Sequence, residues 1–176
     1  LERSGKSNCT PLTPGLFEFD DGFWKLDDLE GLTLDPAGWI YAITSLSLDG
    51  DGDSKKSREK LVRFRIKGDR VVDARMVRSL KPALLAAHPA LAAAAAIREV
   101  KSGGGLNVEA LESSADGRLW VGLRSPLLDQ RAILACVENP SGIFDRDEAP
   151  CIAPHLATVD LGGHGIRGMS YVPSLG

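Results

Sequence analysis

The sequence predicts an all-β fold: a fragment of a β-propeller, about two four-stranded blades plus partial neighbours, with a short helical insertion, in one incomplete domain over residues 1–176. Three observations predict it. The first is an internal repeat. A shift of 79 positions lays Leu29-Glu30-Gly31-Leu32 on Val108-Glu109-Ala110-Leu111 and, without a gap, Gly38-Trp39-Ile40-Tyr41-Ala42 on Gly117-Arg118-Leu119-Trp120-Val121. A further shift of 58 lays the same opening on Ile166-Arg167-Gly168-Met169. The second observation reconciles the two spacings: about twenty residues, Leu80 to Glu99, are extra in the first unit, so the basic period is just under sixty residues. The third is that each unit reads as four short strands, and a period of this length fits a propeller blade better than the shorter repeats of leucine-rich or ankyrin arrays. The units run over about 28–79 and 107–161, and a third begins at about 165.

Each element has a local reason. Leu32 to Leu34 ends at the turn Asp35-Pro36-Ala37-Gly38, and Trp39 to Thr44 follows as a run of aromatic and β-branched residues. After a polar loop over 45–60, Val62, Phe64 and Ile66 alternate with arginines, as a half-buried strand requires. Gly68-Asp69 is a hairpin turn into Arg70 to Val77. The second unit repeats the plan: Val108 to Ser113, the Asp116-Gly117 turn, Leu119 to Leu123, Ile133 to Val137, and a last strand near Ala157 to Leu161. The insertion, over about 80–99, is rich in alanine and leucine, and Pro89 divides it into two short helices. Gly103-Gly104-Gly105 precedes a strand and lacks the lysine and serine of a phosphate loop, so it reads as a linker.

Composition narrows the function classes. A net charge of −3 and a pI near 5.6, with Lys and Arg scattered among acids, supply no basic field for a nucleic acid. The longest apolar stretch, Ala90 to Ile97, is far too short to span a bilayer. The chain opens at Leu1 without a signal-peptide pattern and stops just after the apolar run Gly168 to Val172 has begun. It therefore reads as cut at both ends, with the remaining blades as its expected partners; export and a cytoplasmic location both stay open. The three cysteines have no CxxC spacing. Cys9 reads as the odd one, and Cys136 and Cys151 fall on consecutive strands, where a bridge and two reduced thiols are both compatible with the pattern.

Several segments carry a family resemblance. They are Asp28-Leu29-Glu30-Gly31-Leu32, Asn107-Val108-Glu109-Ala110-Leu111, Ala87-His88-Pro89-Ala90-Leu91, the run Gly122 to Leu128, and Gly165-Ile166-Arg167-Gly168-Met169. Together they resemble a bacterial β-propeller family known as a domain of unknown function, similar in outline to phytase-type, esterase-like propellers. The resemblance covers most of the chain and implies a fold and a reaction class, while the family brings no established activity with it. Where it leads one to expect Ser-His-Ser after the second strand, this chain has Ser45-Leu46-Ser47, so any role of that histidine is absent.

The repeat locates a candidate site. In a propeller the first strand of each blade lines a central channel. Glu30, Glu109 and Arg167 share one repeat position at the start of three such strands, and Ser45 and Arg124 share another at the exits of the second strands. The insertion, Lys101 and His164 fall in loops on the same rim. Two carboxylates beside arginines can hold a divalent cation and an anionic oxygen together, as metal-assisted hydrolysis of a phosphate or carboxylate ester needs. The expected function is thus binding of a small anionic or carbohydrate-like ligand at the channel face, with such hydrolysis as its enzymatic form. The structural alternative is that Glu30 and Glu109 pair with Arg124 and Arg167 to tie units together. The functional alternative is a non-catalytic scaffold for another protein.

Asp49-Gly50-Asp51-Gly52-Asp53 places carboxylates at alternate positions, like the first half of a calcium loop, so Ca2+ is the cofactor to consider at Asp49, Asp51 and Asp53 as well as at Glu30 and Glu109. Ser54 stands where the turn glycine belongs and Glu59 falls one short of the bidentate position, which also fits a solvated turn. Gly163-His164-Gly165 and Ser170 hold residue types used in nucleophilic catalysis, with no Gly-x-Ser-x-Gly elbow to organise them.

Overall fold

Two antiparallel sheets of four strands, each in sequence order, make up most of the computed structural model, which describes residues 25–100 and 102–172. The first sheet is β1 (Leu29–Leu34), β2 (Ile40–Thr44), β3 (Leu61–Lys67) and β4 (Arg70–Val77). Helices α1 (Leu80–Ala87) and α2 (Pro89–Ala95) follow, then β5 (Asn107–Ser113), β6 (Leu119–Ser125), β7 (Ala132–Val137), α3 (Pro140–Asp145) and β8 (Ala157–Val159). Cys9 and Lys101 lie outside the described residues.

The repeat holds at the level of single hydrogen bonds. In the first unit Gly38 N–H donates to Asp35 O (3.0 Å) and Asp35 N–H to Trp39 O (2.9 Å); in the second, Gly117 donates to Ser114 (2.9 Å) and Ser114 to Arg118 (3.0 Å). Both turn glycines take the left-handed backbone, φ +82° and +80°, which other residues reach only under strain. A β-bulge also recurs: the β1–β2 register shifts between Leu29 and Gly31, leaving Glu30 extra, and the β5–β6 register shifts between Val108 and Ala110, leaving Glu109 extra. A second shift skips Arg124 on β6.

The sheets stack face to face. Gly31, Thr33, Tyr41 and Ile43 of the first meet Val108, Leu111, Val121 and Ala135 of the second in one buried cluster, and Thr33 Oγ1 accepts Ser113 N–H at 3.1 Å. Gly31 permits the approach, since a Cβ there would lie 2.7 Å from Leu111 Cβ and from its backbone nitrogen. The opposite face of the second sheet, around Ala110, Gly122 and Leu134, receives Ile166 and Met169 from the segment that follows β8. Two long-range backbone bonds tie the chain on this side: Val108 N–H at the start of β5 donates to Ser45 O, and Ile166 N–H, beyond β8, donates to Leu123 O, each at 2.9 Å.

The insertion contributes to the core. Leu80, Leu84, Leu91 and Ala94 are buried in the shared cluster, with Pro89 opening α2 where its missing N–H costs nothing. α3 carries Phe144 under Tyr41, rings edge to face at 5.8 Å. Arg63 is buried against the Trp39 ring (3.9 Å) and the Phe144 ring (4.9 Å) and pairs with Asp145 at the end of α3. Cys136 is buried and Cys151 exposed, both as free thiols, although their backbones are neighbours through Ala153 N–H to Cys136 O.

Candidate functional site

The two bulges set the site. An extra residue in a strand turns its side chain out of the alternation and bends the strand, which is how bulges re-aim side chains beside functional centres. Here they aim Glu30 and Glu109 into one cavity of about 640 Å³ that also takes Asp28, Asn107, Arg124 and Arg167. Four of the six sequence-derived ligand candidates, Glu30, Glu109, Arg124 and Arg167, thus meet in one place. They come from β1, β5, β6 and the segment that follows β8.

Glu109 is the best-held of the four. Its side chain is 8% exposed; Oε1 accepts from Arg124 Nη1 (2.8 Å) and from Asn107 Nδ2 (3.1 Å), and Oε2 lies 3.7 Å from Arg167 Nε. Glu30 has no ion pair among the described residues. Its carboxyl is raised above the ordinary 4.5, first by burial and then by the charges of Asp28 and Glu109, with Arg124 opposing. Asp28 is held by Arg58 Nη1 (2.8 Å), which also donates to Ser47 Oγ (3.2 Å) and Leu48 O (3.3 Å).

Ser45 does not line the cavity. It is fully buried, its hydroxyl bonded to that of Ser47 (2.8 Å) and its carbonyl occupied by Val108. Leu46, buried in the left-handed conformation at φ +54°, swings the chain so that Ser47 reaches the wall instead. Asp28, at φ +62°, is the other strained residue on this rim. His164 lies in an adjoining cavity that shares Arg124 and Arg167.

The acidic loop behaves as a turn. Asp49 lines the cavity, but its Oδ1 accepts the backbone N–H groups of Asp51 (2.9 Å) and Asp53 (2.8 Å), and Lys55 Nζ sits 2.8 Å from Oδ2. The Lys55 hydrogen bond, with those backbone donors, lowers its carboxyl to about 2. Asp51 and Asp53 are not part of the cavity wall: Arg98 meets the Asp51 backbone carbonyl at 3.0 Å and the Asp53 carboxylate at 3.6 Å. Among the described residues no three His, Cys, Asp or Glu side chains converge to hold a metal ion.

The insertion reaches the same rim. Arg98, Glu99 and Val100, just beyond α2, line the cavity, and the Arg98 side chain packs on Gly52, where a Cβ would lie 2.5 Å from its Nε. Sequence reasoning placed the insertion near the site without naming these residues, and it missed Asp28, Arg58 and Asn107. Asp28 and Asn107 share one repeat position. The bulges also left a trace in the sequence, an apolar spacing of three (Leu29 to Leu32, Val108 to Leu111) where a regular strand has two.

The arrangement offers a carboxylate acceptor without a cationic partner, arginines with donors to spare, and strained backbone between them. No described helix is long and apolar enough to cross a membrane. Compared with models of protein families, with characterised proteins and with solved structures, the chain finds no match.

Proposed function

We propose that this chain is a set of β-propeller blades whose converging strand openings bind a small ligand bearing hydroxyl and anionic groups, of the carbohydrate or carboxylate and phosphate kind. The observation that carries the reading is the shared cavity, with Glu30, Glu109, Arg124 and Arg167 drawn from three repeat units. A purely structural network would leave each carboxylate paired; Glu30 is half-buried among like charges instead, an arrangement expected where a ligand supplies the missing partner. The propeller reading is supported by the direction of stacking. Leu111, 2% exposed, occupies in the second unit the position that Leu32, 62% exposed, holds in the first, and Ser113 at 5% corresponds to Leu34 at 64%. The face that the first sheet covers on the second is the face that the first sheet itself leaves open.

The test is calorimetric titration with calcium and with neutral and acidic sugars. Glu30→Gln and Glu109→Gln keep shape but remove the charge on which a cation, or a hydroxyl donating to a carboxylate, depends. Each should weaken binding that the parent shows; a parent that takes up none of these probes overturns the reading. A second reading, a scaffold for another protein, is favoured by the exposed apolar face around Leu32, Leu34 and Ile66. Loss of partner capture on Leu32→Lys, with small-molecule binding intact, would support it.

A further inference from the structure

The main cavity adjoins a second one, of about 710 Å³, with a different electrostatic character. Arg124, Arg167 and His164 line it, together with Ser125 and the glycine loop 163–165, and among the described residues no carboxylate does. The main cavity, by contrast, presents five carboxylates, Asp28, Glu30, Asp49, Glu99 and Glu109, interleaved with Arg58 and Arg98. Arg124 and Arg167 belong to both, so they stand at the junction.

The donors at that junction are underused. A guanidinium has five N–H groups, and Arg124 spends one on Glu109. Arg167 is 68% exposed, and its nearest carboxylate oxygen, on Glu109, is 3.7 Å away, beyond hydrogen-bonding reach. The His164 ring has no partner among the described residues. Its loop is nonetheless held in place. Gly162 and Gly163 take φ +64° and +79°, and Gly165 is pressed on the Arg124 backbone so closely that a Cβ there would lie 1.8 Å from the carbonyl oxygen.

We infer that the second cavity is an oxyanion subsite of the proposed binding site, and that the ligand is an acidic polyol lying across the Arg124–Arg167 junction. Its carboxylate or phosphate group sits against Arg124, Arg167 and His164. Its hydroxyl groups extend into the main cavity and donate to Glu30 and Glu109. The reverse orientation would put the anion beside Glu30, which has no ion pair among the described residues, in a cavity lined by five carboxylates, at the price of like-charge repulsion in a partly desolvated space. Two arginines and a histidine with free donors are the recurrent means of holding such an anion, since a charged acceptor shortens and strengthens each bond.

This rests on the binding function proposed above, and the experiment separates the two. Glucose, glucuronate and glucose 6-phosphate are titrated calorimetrically into the parent chain, Arg167→Gln, His164→Gln and Glu30→Gln, each first checked for cooperative unfolding with a midpoint no lower than the parent's. The acidic probes should bind at least about tenfold tighter than glucose, the value of one charge-assisted hydrogen bond. Arg167→Gln and His164→Gln should reduce that preference towards unity, whereas Glu30→Gln weakens all three probes alike. The ratio of the two acids tells carboxylate from phosphate. Equal affinity for glucose and its acids, or a preference untouched by Arg167→Gln, overturns the oxyanion subsite while Glu30-dependent glucose binding leaves the parent reading standing. Absence of binding by every probe overturns both.

Discussion

Among the described residues, Glu30 is the one carboxylate of the cavity whose charged form is disfavoured, and the sign of that disadvantage is testable. Burial and the neighbouring Asp28 and Glu109 raise its folded-state value above the ordinary 4.5, so the folded protein binds the proton more tightly than the unfolded chain does. The charged form therefore opposes folding above the raised value, and the opposition fades as the pH falls through it. Glu30→Gln should raise the denaturation midpoint at pH 7 and leave it unchanged once both states are protonated; a loss of stability at pH 7 would argue for a hidden partner. Asp145 has the reverse sign. The Arg63 hydrogen bond lowers its carboxyl, so its contribution is complete above the ordinary aspartate range and is lost as the pH falls through the lowered value. Asp145→Ala should destabilise by about 1–2 kcal/mol, because it leaves a buried guanidinium without its counter-charge although the carboxylate itself is partly solvated. The gathering of Glu30, Glu109, Arg124 and Arg167 was legible because repeat position alone places them. Ser45 was misjudged as a wall residue, since nothing in a Ser-Leu-Ser tripeptide announces a left-handed leucine.

The elements divide by how much periodicity they contain. Strands β1 to β7 and the paired helices were legible, because alternation, turn glycines and a run of helix formers each mark several consecutive residues. α3 was not. Six residues, Pro140 to Asp145, are too few to show a helical period, and its fixing contacts, Phe144 on Tyr41 and Asp145 on Arg63, lie far apart in sequence, the second pair by 82 residues. β8 stops at Val159, short of the expected Leu161, beyond the last paired residue on β7, Ala132. The insertion is core and rim at once, so truncating it inside should act globally: Leu84→Ala is expected to cost about 2–5 kcal/mol in chemical denaturation. At the sheet interface Gly31→Val forces a branched side chain into the backbone of Leu111 and should cost about 1–3 kcal/mol or more. The matching change at Gly38, where a Cβ meets nothing within 4 Å, is limited to its backbone strain. A smaller loss at Gly31 than at Gly38 would contradict the stacking described above.

At the scale of the whole molecule the open face of the first sheet dominates. Leu32, Leu34 and Ile66 stand well exposed beside the half-buried Phe64 and the buried Ala42 and Val62, an apolar surface of the kind that drives association. Sedimentation velocity should show concentration-dependent association of this chain that the pair Leu32→Lys and Leu34→Glu suppresses; monodisperse monomers in the parent would show that the face is covered in solution. The bulk of the fold was legible in the sequence because the repeat is written there, while the partner of an outermost face is not written in any residue that forms it. The stacking has one more implication. Each unit offers one kind of surface and receives another, so the units have a head and a tail, and a row of them has a direction, like links that hook one way only. Duplicating a unit in such a row creates no new kind of contact, and the row lengthens without ever satisfying both of its ends. Whether such a row runs on or curls round until its first unit meets its last is set by the turn between neighbouring sheets, and neither outcome pairs two units back to back.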